Sequence, residues 1–171
     1  MTVVVITGIL ATVAVASLRG YVTAARGSEA LAMVQSIRAA EERWRSEHMM
    51  YLNVSTGDDW YPTDPRASDS PSAQHPFFYP PEDGTHGDNA TWLLLHPTTT
   101  GPVRFGYLVN AGPGGGTMTT PALGPAITWP DPAPDNWYVI QAVGDVDGDG
   151  VVSYYRASNL SGEVFSVNHG E

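Results

Sequence analysis

Apolar residues run almost without interruption from Met1 to Leu18, where the only polar side chains are three threonines and one serine. Hydroxyl groups of Thr and Ser can bond back to helix carbonyls, so they are compatible with a helix. Eighteen helical residues cover about 27 Å, close to the hydrocarbon thickness of a bilayer. Segment 1–18 is therefore predicted to be a helix that is buried on all sides, in lipid or among other helices.

From Glu29 onward the pattern becomes amphipathic. Apolar residues recur at three- and four-residue spacing and form one stripe: Ala30, Met33, Val34, Ile37, Ala40 and Trp44. The opposite face is charged, and Arg38/Glu42 and Glu41/Arg45 have the spacing of ion pairs on a helix. Since no proline occurs before Pro62, one continuous helix is predicted to about Met50, with its half 28–50 packing on a compact domain.

The second part of the chain has the pattern of a β domain. Four segments rich in β-forming residues predict strands: Val103–Val109, Trp137–Val143, Val151–Arg156 and Glu163–Val167. An antiparallel meander with one face on the Met33/Ile37/Trp44 stripe is the simplest arrangement. The predicted fold class is thus α+β, with an N-terminal helix over residues 1–52 and a β head over 53–171.

Two stretches of the head are rich in Pro, Gly, Ser and Asp and predict surface loops. The first spans 57–102 and contains a short apolar piece, Trp92–Leu95, which is expected to attach the loop to the helix. The second spans 112–134 and is expected to be mobile. All 14 prolines lie between Pro62 and Pro134, so the helix and the head differ sharply in composition.

Charge and composition exclude several classes of function. Residues 1–57 carry five arginines and four glutamates, a formal charge of +1, whereas residues 58–171 carry fourteen acidic residues and three arginines, or −11. This balance argues against nucleic-acid binding, which needs clustered cations. The absence of cysteine excludes disulfides, thiolate metal sites and thiol nucleophiles. No combination of nucleophile, base and orienting group stands out, so we do not expect an enzyme.

The order of motifs along the helix is informative. An apolar stretch with Gly8-Ile9-Leu10-Ala11 is followed by Tyr21, by Ser28-Glu29-Ala30-Leu31, and by Glu41-Glu42-Arg43-Trp44 and Glu47 shortly before Tyr51. This order resembles the N-terminal helix of type IV pilins and pseudopilins. The strands and the Asp-rich hairpin of the head are also similar to pilin heads, so the resemblance covers most of the chain.

The resemblance implies a structural subunit of a surface filament. It implies a chain held in the inner membrane before a pilus assembly machinery moves it into a helical homopolymer on the cell surface. The residues that would pack the filament core are Val3, Val4, Ile6, Gly8, Ile9, Leu10, Ala11, Val13, Ala14, Val15 and Leu18. The residues that would pack the helix on the head are Met33, Val34, Ile37, Ala40 and Trp44.

The chain departs from the family pattern in two places. Matching the Gly8–Ala11 block puts Met1 at the seventh position of the mature family helix, so the first six positions have no counterpart. Those positions include the glutamate that the family uses to neutralise an N-terminal amine, and we expect either a start upstream of Met1 or a different mode of assembly. The proline that commonly kinks the family helix is replaced by Ala16.

One segment of the head has the spacing of a calcium loop. Asp145, Asp147 and Asp149 stand at positions one, three and five, Gly150 at six, Val151 at seven for its carbonyl, and Ser153 at nine. Position twelve is Arg156 instead of a bidentate Glu, so the strongest ligand is missing. The alternative is an ordinary hairpin turn, since Asp-Gly repeats between strands are turn signals.

Other interpretations of the N-terminus stay open. Ala14-Val15-Ala16 before Ser17 resembles a signal-peptide cleavage site, although no Lys or Arg precedes the apolar run. A plain single-span anchor with a passenger domain is another alternative. In either case the chain would be a secreted or membrane-anchored calcium- or ligand-binding domain rather than a filament subunit.

Overall fold

A single long helix, α1 (Thr2–His48), forms the N-terminal part of the molecule. The computed structural model describes residues 2–66, 72–78, 86–121 and 124–168, without the side chains of 2–5, 9, 12, 15–17 and 19. At 47 residues, α1 is about 70 Å long. It ends where Met49 adopts a left-handed conformation with φ 62°, and the Met49 N–H donates to Arg45 O at 2.8 Å. Such a residue satisfies an otherwise unpaired carbonyl and stops the helix.

The head contains a four-stranded antiparallel sheet, so the fold is α+β, as predicted. Its strands are β1 (Gly106–Gly112), β2 (Trp137–Gly144), β3 (Ser153–Ser158) and β4 (Ser161–Val167). They are hydrogen-bonded in the order β1-β2-β3-β4, which is the predicted meander. In the register, Tyr107 lies opposite Ala142, and Val143 lies opposite Tyr154.

Three of the strands start at other residues than predicted, because the backbone near each start has a different partner. The prediction began β1 at Val103, but Val103 pairs with His75, and the Arg104 N–H donates to Glu29 Oε1 at 2.8 Å. At β3, the Val151 N–H donates to Asp149 Oδ1 at 2.7 Å and belongs to the preceding turn. β4 starts two residues early, since Ser161 pairs with Ser158 across a tight turn.

The main core lies between α1 and one face of the sheet. Ala30, Val34 and Ile37 of α1 are fully buried against residues such as Ile140 and Tyr155. The first buried side chain of α1 is Thr23 among the described residues, so residues 23–48, the packed half, carry the contact with the head. Burying such aliphatic side chains contributes about 1.5–3 kcal/mol each.

The other face of the sheet is covered by the two loops. Trp60 packs on Leu108 and Val143, and Met118 and Ala133 pack on Val139 and Trp137. The second loop, expected to be mobile, is instead packed on the sheet. Its two ends are joined by backbone bonds from the Gly115 N–H to Ala133 O (2.8 Å) and from the Ala133 N–H to Gly116 O (2.9 Å). Because both faces of β2 are covered, all eight of its residues are buried.

The apolar piece of the first loop forms a short helix, α2 (Asn89–Leu95). Trp92 and Leu95 are completely buried in the main core. Arg43 of α1 donates to the carbonyls of Leu95 (2.6 Å) and His96 (3.2 Å), where α2 ends. A cation at a helix C-terminus satisfies unpaired carbonyls and complements the helix dipole. Segment Trp92–Leu95 therefore attaches the first loop to α1.

Candidate assembly and binding surfaces

Residues 2–22 of α1, here called the free half, precede the packed half, and those of their apolar side chains that the structure describes are exposed. The exposed fractions are 57% for Ile6, 63% for Leu10, 60% for Val13 and 62% for Leu18. Tyr21 is 75% exposed at the point where the helix meets the head. Soluble monomers rarely expose a continuous apolar surface of this length, so such a surface marks a site of interaction.

The residues predicted to pack a filament core lie on this free half. Ile6, Gly8, Leu10, Ala11, Val13, Ala14 and Leu18 are all exposed. The side chains of Val3, Val4, Ile9 and Val15 lie outside the described residues. A Cβ built at Gly8 would meet no atom within 4 Å. Across the described part of the chain, no helix is both long and apolar enough to cross a membrane.

The residues predicted to pack the helix on the head are in contact with it. Met33, Val34, Ile37 and Ala40 are buried in the main core, and Trp44 is half-buried against it. The charged side chains on the opposite face of α1 do not all point into solvent, since some of them contact the head.

Arginine side chains of α1 bind backbone carbonyls of the head. Arg38 donates to Ser161 O at 2.9 Å, Ser158 O at 3.1 Å and Gly162 O at 3.3 Å, which joins α1 to the β3–β4 turn. Arg26 donates to Val146 O at the β2–β3 turn. A guanidinium has five donors in a rigid fork, so it can bind several carbonyls at once.

The predicted ion pairs within α1 were wrong. Arg38 binds the head instead of Glu42, and Arg45 approaches Glu42 at 4.0 Å and Asp135 at 3.8 Å. Spacing along the helix alone predicts these pairs. The head offers nearby carbonyls and a carboxylate that compete for the same guanidinium groups.

Glu41, the other member of a predicted pair, is completely buried. Its Oε2 accepts from the Leu52 N–H at 3.0 Å, which holds the chain where it turns away from α1. Its Oε1 has no hydrogen-bond partner among the described residues. Burial raises the pKa of Glu41 to about 8, assisted by the charge of Glu42 and opposed by the Leu52 hydrogen bond. Its position four residues after Ile37 continues the apolar stripe and was the signal for burial.

The Asp-rich segment predicted as a calcium loop is the turn between β2 and β3, here called the Asp loop (145–150). Carboxylate oxygens of its three aspartates lie within 4.8 Å of one another. Asp145 is buried, and its two oxygens accept from the N–H groups of Gly148 (2.7 Å) and Gly150 (2.9 Å). Each oxygen has a second lone pair, so these bonds leave room for a cation.

The remaining predicted ligands lie differently. The Ser153 hydroxyl donates to Asn168 O at 2.8 Å. Arg156 at position twelve is buried and donates to the Tyr154 hydroxyl at 2.6 Å and to Pro125 O at 3.3 Å. Of the five predicted ligands, the structure thus brings together the side chains of the three aspartates. The Val151 carbonyl belongs to the residue directly after the Asp loop. The same hydrogen bonds would also stabilise a turn that holds no metal.

A second group of ligand-type side chains was missed from the sequence: Asp59, His86 and Asp88. His86 Nε2 lies 3.0 Å from Trp60 O and 3.3 Å from Asp59 Oδ1, and its Nδ1 accepts from the Asp88 N–H at 3.2 Å. Both ring nitrogens are therefore in contact with other groups of the protein. The group fixes the first loop, and no spacing in the sequence could have found it because Asp59 and His86 lie 27 residues apart.

Comparison with protein-family models, curated proteins and solved structures finds no match to this chain. The function is therefore argued from the sequence and the geometry alone.

Proposed function

We propose that the chain is a structural subunit of a type IV pilus-like surface filament. The proposal rests mainly on one observation: apolar side chains of the free half of α1 are exposed, whereas the packed half of the same helix is buried against the head. Support also comes from the pilin-like order of motifs along α1.

Assembly would bury the free half among copies of itself. Leu10 and Val13 lie on nearly the opposite side of the helix from Gly8 and Ala11, so no single partner covers them all. A bundle of neighbouring helices does, and the small residues Gly8, Ala11 and Ala14 allow close approach. Contacts that repeat without closing on themselves produce an open helical polymer.

The proposal assigns one location to the chain before assembly and another after it. Before assembly the chain would be held in the inner membrane through segment 1–18, and a pilus assembly machinery would extract it into the filament. After assembly the acidic heads would form the outer surface. This part depends on the apolar sequence pattern rather than on any neighbouring molecule.

The main test compares two equally exposed leucines in cells that carry a type IV assembly machinery. Leu10 on the free half is 63% exposed and Leu94 on the head is 61% exposed. Leu10→Asp should abolish filaments in negative-stain images of sheared cell surfaces, because a carboxylate cannot be buried among apolar helices. Leu94→Asp should leave them intact. Absence of filaments from the parent chain would contradict the proposal.

Cross-linking tests the contact directly, since the chain has no cysteine of its own. After oxidation, Leu10→Cys should give covalent dimers in isolated filaments, and Leu94→Cys should give monomers. Dimers from Leu94→Cys with none from Leu10→Cys would mean that copies associate through their heads.

The Asp loop favours a second candidate function, a secreted or membrane-anchored calcium-binding domain. Three carboxylates that converge within 4.8 Å are oxygen ligands suited to Ca²⁺. In that case calcium should raise the melting temperature relative to a chelator, and Asp147→Asn should remove the shift. An equal melting temperature in calcium and chelator would exclude this candidate.

A further inference from the structure

Two adjacent methionines lie exposed directly after α1, Met49 at 79% and Met50 at 59%. The other two methionines that the structure describes, Met33 and Met118, are only 5% and 7% exposed and belong to the hydrophobic cores. Methionine is among the residue types that are most often fully buried. Packing of the cores therefore accounts for Met33 and Met118 but not for the exposed pair.

The residue before this pair is His48, the last residue of α1, which is also exposed. Its ring stacks on Trp44, with ring centroids 3.9 Å apart and the two planes 14° apart. His48 Nδ1 lies 3.1 Å from Trp44 O, and because a carbonyl oxygen only accepts, Nδ1 carries the proton and donates it. The other nitrogen, Nε2, keeps its lone pair and bonds to no group in the part of the chain that the structure describes.

This is the arrangement of a histidine that binds a metal ion. Metal-ligating histidines almost always donate their second ring N–H to a carbonyl or carboxylate, which fixes the tautomer and the orientation of the ring. In His48 the carbonyl of Trp44 has this role, and the stack on the Trp44 ring fixes the orientation further. His48 Nε2 is therefore able to bind a metal ion without any rearrangement of α1.

The backbone that carries the two methionines is also held in place. The Met49 N–H donates to Arg45 O at 2.8 Å, and Met49 O accepts from Asn136 Nδ2 at 3.0 Å. Consecutive Cα atoms are only about 3.8 Å apart, and a methionine side chain is unbranched with three rotatable bonds. Both thioethers can therefore turn towards His48 Nε2 while the backbone stays where it is.

The chemistry of these donors selects the metal ion. Thioethers are soft, neutral ligands that favour Cu(I), whereas Ca²⁺ and Mg²⁺ favour oxygen ligands and structural Zn²⁺ favours thiolates, imidazoles and carboxylates. Three neutral donors leave the charge of the ion uncompensated, so a negative surrounding helps to retain it. The chain has a formal charge of −10, and Glu47 is exposed next to His48.

We propose that His48, Met49 and Met50 bind one Cu(I) ion through Nε2 and the two Sδ atoms. Trp44 is a positioning residue that orients His48. The site lies at the end of α1 that is remote from the free half, so binding does not require filament assembly. The competing role for the two methionines is an apolar contact with another molecule, in which the sulfur atoms would be dispensable.

The experiment uses the full chain, labelled with ¹³C in the methionine methyl groups, in a zwitterionic detergent. Cu(I) is added without oxygen in the presence of ascorbate, and Zn²⁺ is added to a parallel sample. The methyl signals of Met49 and Met50 should shift with Cu(I) and saturate at one ion per chain, whereas those of Met33 and Met118 should stay in place. Zn²⁺ should leave all four signals in place. Competition with the chelator bicinchoninate measures the dissociation constant.

Matched variants separate a metal site from an apolar contact. Met49→Leu with Met50→Leu keeps the apolar character and removes the sulfur, so it should weaken Cu(I) binding at least about tenfold. His48→Asn should also weaken it. His96→Asn is the control and should leave binding unchanged, because His96 is likewise exposed and stacks on an aromatic ring, that of Phe78. Melting temperatures close to that of the parent chain show that the variants fold.

Three results would overturn the proposal. The first is no saturating shift of the Met49 and Met50 signals, or equal shifts with Zn²⁺. The second is Cu(I) binding that the leucine pair retains, which would assign the two methionines to an apolar contact. The third is an equal loss of binding in His48→Asn and His96→Asn, which would mean that Cu(I) binds exposed histidines without selecting this site.

Discussion

The two halves of α1 belong to one continuous helix, yet they have opposite surroundings. In the packed half, Ala30, Val34 and Ile37 are completely buried and the arginines reach carbonyls of the head. In the free half, Leu10 and Leu18 are more than 60% exposed. The backbone hydrogen bonds are alike in both halves, so the difference comes from side chains alone.

This difference shows how a single helix can serve two interfaces. The packed half has one apolar stripe, which one sheet face can cover. Residues 2–18 of the free half carry no charge and are apolar on all sides, so one compact domain cannot cover them. We infer that the head folds on the packed half and leaves the free half available for neighbours.

The largest expected effect comes from truncating one aliphatic side chain in each half. Ile37→Ala should lower the free energy of unfolding of the head by about 2–5 kcal/mol, because it leaves a cavity in the core. Leu10→Ala should change it by less than about 0.5 kcal/mol. Urea unfolding followed by tryptophan fluorescence is suitable, since all five tryptophans lie between Trp44 and Trp137. Equal losses for both variants would mean that the free half also packs on the head.

The second effect concerns the buried carboxyl of the packed half. The folded pKa of Glu41 is about 8, above its ordinary value of 4.5. Its protonation therefore contributes stability that is fully present below about pH 4.5 and is lost as the pH rises to about 8. In this window the free energy of unfolding should fall by up to about 1.4 kcal/mol per pH unit.

Glu41→Gln should remove this dependence, because the amide carries no charge and its oxygen can still accept from Leu52. Urea unfolding at pH 5, 6, 7 and 8 gives the slope for each variant. Glu47→Gln, at an exposed position of the same helix, is the matched control and should keep the slope of the parent chain. A parent chain whose stability is flat across this range would contradict the assignment of a protonated Glu41.

Much of this architecture could be predicted from the sequence, for identifiable reasons. The stripe of Met33, Val34, Ile37 and Ala40 and the β-rich segments are local patterns, and they indicated the helix, the meander and their contact. The start of β1 could not be predicted, since it depends on the distant partners Glu29 and His75. β3 starts late for a local reason, because the Val151 N–H donates to Asp149 in the preceding turn.

The candidate sites were predictable to different degrees. The Asp loop has a local spacing and was found, although Ser153 has another partner. The Asp59/His86/Asp88 group combines residues from distant positions of the first loop, and no periodicity links them. The spacing of Glu41 to Arg45 is that of an ion pair, whereas its spacing to Ile37 is that of the buried stripe, and the structure follows the second.

The smallest expected effect concerns Arg38, on the charged side of the packed half. Arg38 binds three carbonyls of the β3–β4 turn, and Lys has the same charge without the rigid fork. Arg38→Lys should therefore lower the free energy of unfolding by about 1 kcal/mol, the contribution of one or two hydrogen bonds. Arg45→Lys, where the half-exposed guanidinium approaches Glu42 and Asp135 only at 4.0 and 3.8 Å, should cost less than that. Equal costs would mean that the positive charge alone holds α1 to this turn. A larger loss for Arg38→Lys would mean that this contact of the packed half needs the geometry of the guanidinium group.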